Sequence, residues 1–76
     1  MDIEWVSGAR IRVDMYNSEV VITANREGLL SLSSQMAALA DAGPGSHIHY
    51  DEYNSLEEGS VELIIGKSLT SSADEL

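Results

Sequence analysis

Residues 9–15 alternate strictly between apolar and polar side chains. Successive side chains of a strand point to opposite faces, so the apolar residues of this segment share one face and its arginines share the other. The β-branched run at residues 19–23 follows a turn signal at Asn17 and predicts a second strand. Because the two strands are so close in sequence, the pattern predicts an antiparallel hairpin.

The apolar spacing changes to three and four residues after Asn25, which predicts an amphipathic helix. Asn25 is a favourable N-cap, and the Gly-Pro-Gly run at residues 43–45 ends the helix. The predicted helix therefore covers about residues 26–42. Its apolar stripe should face a sheet, and Ser31 and Ser34 should face solvent. The stripe consists of Leu29, Leu32, Met36, Leu39 and Ala40, widened by Leu30 and Ala37.

Residues 47–65 form two strand-like arms, at 47–50 and 61–65, around a polar loop at 51–59. The elements therefore follow in ββ(β)-α-ββ order. This order predicts an α+β domain, a single small antiparallel sheet of four to five strands with one helix packed on one face. The domain should cover residues 1–67, with Trp5 in its core. Residues 68–76 lack aromatics and apolar periodicity, which predicts a disordered C-terminal tail.

The chain has 76 residues and a formal net charge of −9, from 13 acidic and four basic residues. A chain of this length forms one domain and buries only about 60% of its unfolded surface. The acidic balance disfavours nucleic acid and anionic membranes as partners, since both require clustered basic residues. The chain has no cysteine, no signal peptide and no membrane-length apolar run, which favours a cytoplasmic protein.

The loop at residues 51–59 is the strongest candidate for a functional surface. Tyr53 and Leu56 lie among its acids as apolar anchors with a charged rim, a composition typical of interfaces. A solvated run of charges is the alternative reading of the same residues. The candidate partner-binding residues are Asp51, Glu52, Tyr53, Glu57 and Glu58.

His47 and His49 are the other candidates for chemistry, because an i, i+2 spacing on a strand places both on one face. Two ligands do not complete a metal site, so solvent-facing histidines opposite Ile48 and Tyr50 are favoured. The chain has no cysteine nucleophile and no phosphate-binding glycine loop at a helix entrance. The sequence therefore predicts no catalytic residues, no metal, no cofactor and no enzyme activity.

Two segments, NREGLLSLSSQMAALA and SHIHYDEYNSLEEGSVELII, resemble the bacterial immunity protein 32 family over about residues 25–65. The resemblance implies a protein that neutralises a toxin of a bacterial polymorphic toxin system. The family has no catalytic residues to carry over. The matching positions are Gly28, Leu29, Leu30, His49, Asp51, Glu52, Asn54, Leu56, Gly59, Ser60, Glu62, Leu63, Ile64 and Ile65.

The charge and the resemblance together predict inhibition by binding. The acidic loop would cover the basic substrate groove of a nuclease-like toxin, with electrostatic steering increasing the association rate. The alternative function is a small non-enzymatic structural or regulatory module. Such a module would self-associate, for example as a homodimer, through a sheet edge or the helix face.

Overall fold

A computed structural model describes residues 3–70 and 76. The predicted α+β class is confirmed, with a single helix among these described residues. Their four strands form two two-stranded antiparallel sheets, β1–β2 and β3–β4, where the sequence suggested one continuous sheet. Residues 71–75 of the predicted tail lie outside the described residues. The elements are β1 (Ile11–Tyr16), β2 (Glu19–Ala24), α1 (Arg26–Ala40), β3 (His47–Tyr50) and β4 (Leu63–Gly66).

The predicted β1–β2 hairpin is present and turns at residues 17 and 18. Asn17 has a left-handed φ of 57°, which asparagine tolerates better than most residues. In the register, Ile11 lies opposite Ala24 and Val13 opposite Ile22. Ile11 and Val13 are buried, as the alternation predicted, whereas the face becomes exposed at Met15 near the turn.

The two sheets are joined along the other edge of β1 by the end of the loop. The Glu57 N–H donates to the Ile11 carbonyl and the Val61 N–H to the Val13 carbonyl, each at 2.8 Å. Between them the Val13 N–H donates to the Ser60 hydroxyl at 3.1 Å. A side-chain hydroxyl thus replaces a strand carbonyl, which explains why the ladder is interrupted and two sheets form.

The core lies between α1 and the two sheets. On β3 the side chains alternate as predicted, with Ile48 and Tyr50 buried and His47 and His49 exposed. The buried apolar residues are Ile11, Val13, Leu39, Ile48, Tyr50 and Leu56. This is a small core, as expected for a chain of this length. Among the described residues, no helix has the length and apolar character that crossing a membrane requires.

The predicted orientation of α1 is only partly correct. Leu32, Met36 and Leu39 of the predicted stripe pack in or against the core. Ser31 is fully buried, whereas Leu29 is 55% exposed and Leu30 is exposed as well. The reason is the N-terminal segment at residues 4–6, whose backbone lies against the helix. The Val6 N–H donates to the Ser31 hydroxyl at 2.8 Å, and the Gln35 side-chain amide donates to the Glu4 carbonyl at 2.8 Å. Polar side chains on the buried face satisfy backbone groups that would otherwise be unpaired.

Tyr50 connects the N-terminal segment, the helix and β3. Its hydroxyl donates to Gln35 Oε1 at 2.7 Å, and its ring meets the ring of Trp5 edge-on at a centroid distance of 6.2 Å. Trp5 therefore packs at the border of the core, although it remains 39% exposed. The predicted core position of Trp5 is thus only partly realised.

Burial raises the pKa of the Tyr50 hydroxyl above its ordinary value of 10.0. The folded state binds this proton more tightly than the unfolded state. The associated stability is therefore complete below pH 10 and is lost as the pH rises through the higher folded pKa. We expect urea midpoints of the wild type to fall more steeply above about pH 10 than those of Tyr50→Phe. Parallel curves for the two proteins would contradict this expectation.

Candidate functional site

The 51–59 loop begins with a turn organised by Asp51. One carboxylate oxygen of Asp51, Oδ1, accepts from the Tyr53 N–H at 2.9 Å and from the Asn54 N–H at 3.0 Å. The Asp51 carbonyl accepts from the Leu56 N–H at 2.8 Å. This side-chain-to-backbone pattern is the reason aspartate is favoured at turns. Asp51 therefore holds the loop in shape, and only part of its carboxylate remains available to a partner.

The end of the loop is held against β1 by two arginines. Arg10 forms an ion pair with the Glu57 carboxylate. Arg12 donates through Nη1 to the Glu58 carbonyl at 3.0 Å, while its Nε donates to Asp14 at 3.0 Å. Each exposed pair contributes little by itself. Together with the backbone bonds to β1, however, they fix the position of the loop.

Leu56 does not belong to the exposed surface. Its side chain is buried in the core, so its predicted role as an exposed anchor is wrong. The turn at Asp51 directs the chain inward here, and the Glu57 N–H then binds β1. A buried leucine in the middle of the loop attaches it to the domain by apolar packing as well as by hydrogen bonds.

Three of the five candidate residues remain directed at solvent. Tyr53 is 98% exposed, and Glu52 and Glu58 are also exposed. Within residues 3–70 and 76, the side chains of these three residues form no hydrogen bond, ion pair or ring contact. Such complete exposure is unusual for a side chain with so large an apolar area as tyrosine. We call Glu52, Tyr53 and Glu58 the outer loop surface.

The histidines form a separate feature on the outer face of β3. Their ring centroids are 5.2 Å apart, and both border a cleft of about 300 Å³ that Ile3, Trp5 and Asn54 also line. Across the described ranges 3–70 and 76, no group of three or more His, Cys, Asp or Glu residues has metal-binding geometry. The geometry therefore gives the pair no ligand set for a metal.

The sequence of more than half of the chain matches the profile of a protein family. The profile of the family described as Immunity protein 32 matches residues 19–68. The chain belongs to the immunity protein 32 family. Comparisons with curated proteins and with solved structures gave no match.

Membership of the immunity protein 32 family confirms the resemblance carried by the helix entry and the acidic hairpin. The matched range contains α1, the whole 51–59 loop and β4. An immunity protein has, in general, a toxin as its partner and inhibits it without catalysis.

The residues that support the loop were not recognised from sequence. Arg10, Arg12 and Ser60 all bind the loop or its junction with β1. One signal was available for the arginines, because the alternation places both on the same face of β1. Nothing in the sequence indicated that the loop would lie at that face.

Proposed function

We propose that this immunity protein neutralises a bacterial toxin by binding it through the outer loop surface. Family membership supports a toxin partner. The observation that carries the choice of surface is Tyr53, which is 98% exposed in the loop that also carries the exposed Glu52 and Glu58. Exposed tyrosines are frequent hot spots in interfaces, where the ring packs on a partner and the hydroxyl forms a hydrogen bond.

The charge of the chain supports a basic toxin. A net charge of −9 attracts a positively charged partner at long range and increases the association rate. The substrate groove of a nuclease is basic because it binds phosphates. Glu52 and Glu58 would occupy the positions of such phosphates. We place this encounter in the cytoplasm of a bacterium with a polymorphic toxin system.

The conformation of the loop supports the same function. Its start is fixed by the Asp51 turn, and its end is fixed by Arg10, Arg12 and the backbone bonds to β1. A surface that is already ordered loses little conformational entropy when it binds. Asp51 and Glu57, the other two candidate residues, contribute by holding the outer loop surface in place.

The test compares two charge-matched variants for binding to the toxin encoded beside this gene. Glu52→Gln/Glu58→Gln removes both carboxylates of the outer loop surface. Glu4→Gln/Glu19→Gln removes two exposed carboxylates elsewhere, and both variants change the net charge from −9 to −7. We expect the loop variant to bind about tenfold more weakly than the control variant, with a weaker dependence on salt. Equal affinities of the two variants would contradict the proposed surface.

The class of toxin is tested by competition. If the toxin is a nuclease, we expect the wild-type protein to displace a labelled oligonucleotide from it, since both occupy the basic groove. Tyr53→Ala should reduce this competition without changing the net charge. A stable complex of immunity protein, toxin and oligonucleotide would show that the groove is not the binding site.

A further inference from the structure

The outer edge of β2 carries backbone groups that have no strand to pair with. The Asn25 N–H donates to the Arg10 carbonyl, and this bond fixes which alternate residues of β2 form hydrogen bonds with β1. Residues 19, 21 and 23 therefore face β1, whereas the N–H and carbonyl groups of Val20 and Ile22 point away from it. In the part of the chain that the structure describes, β1 is the only strand that pairs with β2.

Natural sheet edges are blunted by lysine, proline, bulges or a covering element, because an open edge recruits another strand. The sequence of β2, EVVITA, contains none of these residues, and its six-residue register with β1 is continuous. Val20 is 52% exposed and Ile22 is 40% exposed. This edge therefore has the backbone groups and the β-branched side chains that favour pairing with a further strand.

An exposed apolar area continues from this edge across the hairpin. Val20 lies opposite Met15, and Ile22 lies opposite the buried Val13, so these side chains share the face that forms the core. Met15, Val20 and Ile22 are all exposed, because the core residues cover the hairpin only as far as Val13. An added strand would extend the sheet and bury part of this area as well.

We infer that the β2 edge pairs with the β2 edge of a second copy of this chain, antiparallel around a two-fold axis at Ile22. In this register the backbone N–H and carbonyl groups of β2 that point away from β1 form hydrogen bonds with those of the second copy. Ile22 lies opposite Ile22 of the second copy, and Val20 lies opposite Ala24 of the second copy. The result is a continuous four-stranded sheet with apolar residues on one face.

The charges of the strand favour a second copy over a different occupant. The single carboxylate of β2, Glu19, lies opposite the neutral Asn25 of the second copy, so no like charges face each other. The strand is thus self-complementary, as a two-fold interface requires. A small domain with only six buried apolar residues in the part that the structure describes also gains stability from such an association.

The dimer and the toxin complex should respond differently to salt. Two copies that each carry −9 repel one another at long range, and salt screens this repulsion. The dimer should therefore strengthen with salt, whereas the complex with a basic toxin should weaken. Dimerisation through β2 does not depend on toxin binding through the outer loop surface. If one proposal fails, the other can therefore still be tested.

The test uses opposite charges at the two-fold axis, measured by sedimentation velocity and native mass spectrometry. We expect wild type to dimerise, and Ile22→Lys and Ile22→Glu each to dimerise at least about tenfold more weakly. An equimolar mixture of the two variants should form a heterodimer, because lysine then faces glutamate. Such recovery would not occur if the variants had simply unfolded. Ile64→Lys, an exposed position on β4, is the matched control and should dimerise like wild type.

Three outcomes would overturn the inference. The first is a wild-type protein that remains monomeric at the highest concentration that stays in solution. The second is a dimer that both Ile22 variants leave intact, and the third is a mixture of folded variants that stays monomeric. A monomeric wild type whose affinity for the toxin falls with Ile22→Lys would assign the edge to a strand of the toxin instead.

Discussion

Replacing Gln35 with leucine is expected to destabilise the protein by about 1–3 kcal/mol, because the buried Tyr50 hydroxyl and the partly buried Glu4 carbonyl lose their partner. Gln35 Oε1 accepts from the Tyr50 hydroxyl, and its amide donates to the Glu4 carbonyl. Leucine has a similar size and extends the apolar stripe of α1, so the sequence pattern alone would suggest a neutral or stabilising change. The buried position of Gln35 reverses that expectation.

The measurement is urea unfolding of Gln35→Leu, Tyr50→Phe and the double variant. In the Gln35→Leu background the phenylalanine removes an unpaired hydroxyl, so Tyr50→Phe should cost less there than in wild type. Additive effects would mean that the two side chains do not act as a pair. A Gln35→Leu protein as stable as wild type would contradict the role of the hydrogen bonds.

Replacing Gly28 with alanine is expected to destabilise the protein by about 1–3 kcal/mol through overpacking. A Cβ at this position would lie 2.6 Å from the Arg10 carbonyl oxygen and 3.0 Å from side-chain atoms of Ile11 and Ala24. Backbone cannot move aside as the end of a flexible side chain can. This steric cost exceeds the roughly 1 kcal/mol by which alanine favours a helix over glycine.

Thermal and urea unfolding of Gly28→Ala measure this effect, and Ser34→Ala is the matched control. Ser34 is an exposed residue of the same helix, where alanine should be neutral or slightly stabilising. A stabilised Gly28→Ala protein would show that the first turn of α1 is free to move away from β1. The glycine in the family pattern at the helix entry would then need a different explanation.

Local patterns were sufficient for the secondary structure. The alternation at residues 9–15, the turn at Asn17 and the N-cap at Asn25 each involve neighbours in sequence, and each was confirmed. The buried face of α1 was only partly predictable in this way, since the pattern identified Leu32, Met36 and Leu39 but not the buried polar residues. Ser31 and Gln35 are buried because Val6 and Glu4, 25 and 31 positions earlier, bring backbone groups to them that need partners. Residues 4–6 have no periodicity that would indicate this contact.

The candidate site, too, could be predicted from the sequence only in part. The acidic composition of the 51–59 loop was visible in the sequence, but the different roles of its acids were not. Asp51 and Glu57 hold the loop, whereas Glu52 is free, because only the folded chain brings Arg10 beside Glu57. Similarly, Leu56 stands among polar and acidic neighbours, as an exposed anchor would. Its burial depends on the path of the chain towards β1.

The family match begins at residue 19, after the first strand and the N-terminal segment. Those earlier residues nevertheless supply the carbonyls of Ile11 and Val13 that hold the end of the loop. They also supply the backbone groups at Glu4 and Val6 that pair with the buried polar side chains of α1. The matched region of this chain is therefore held in shape partly by residues that lie outside it.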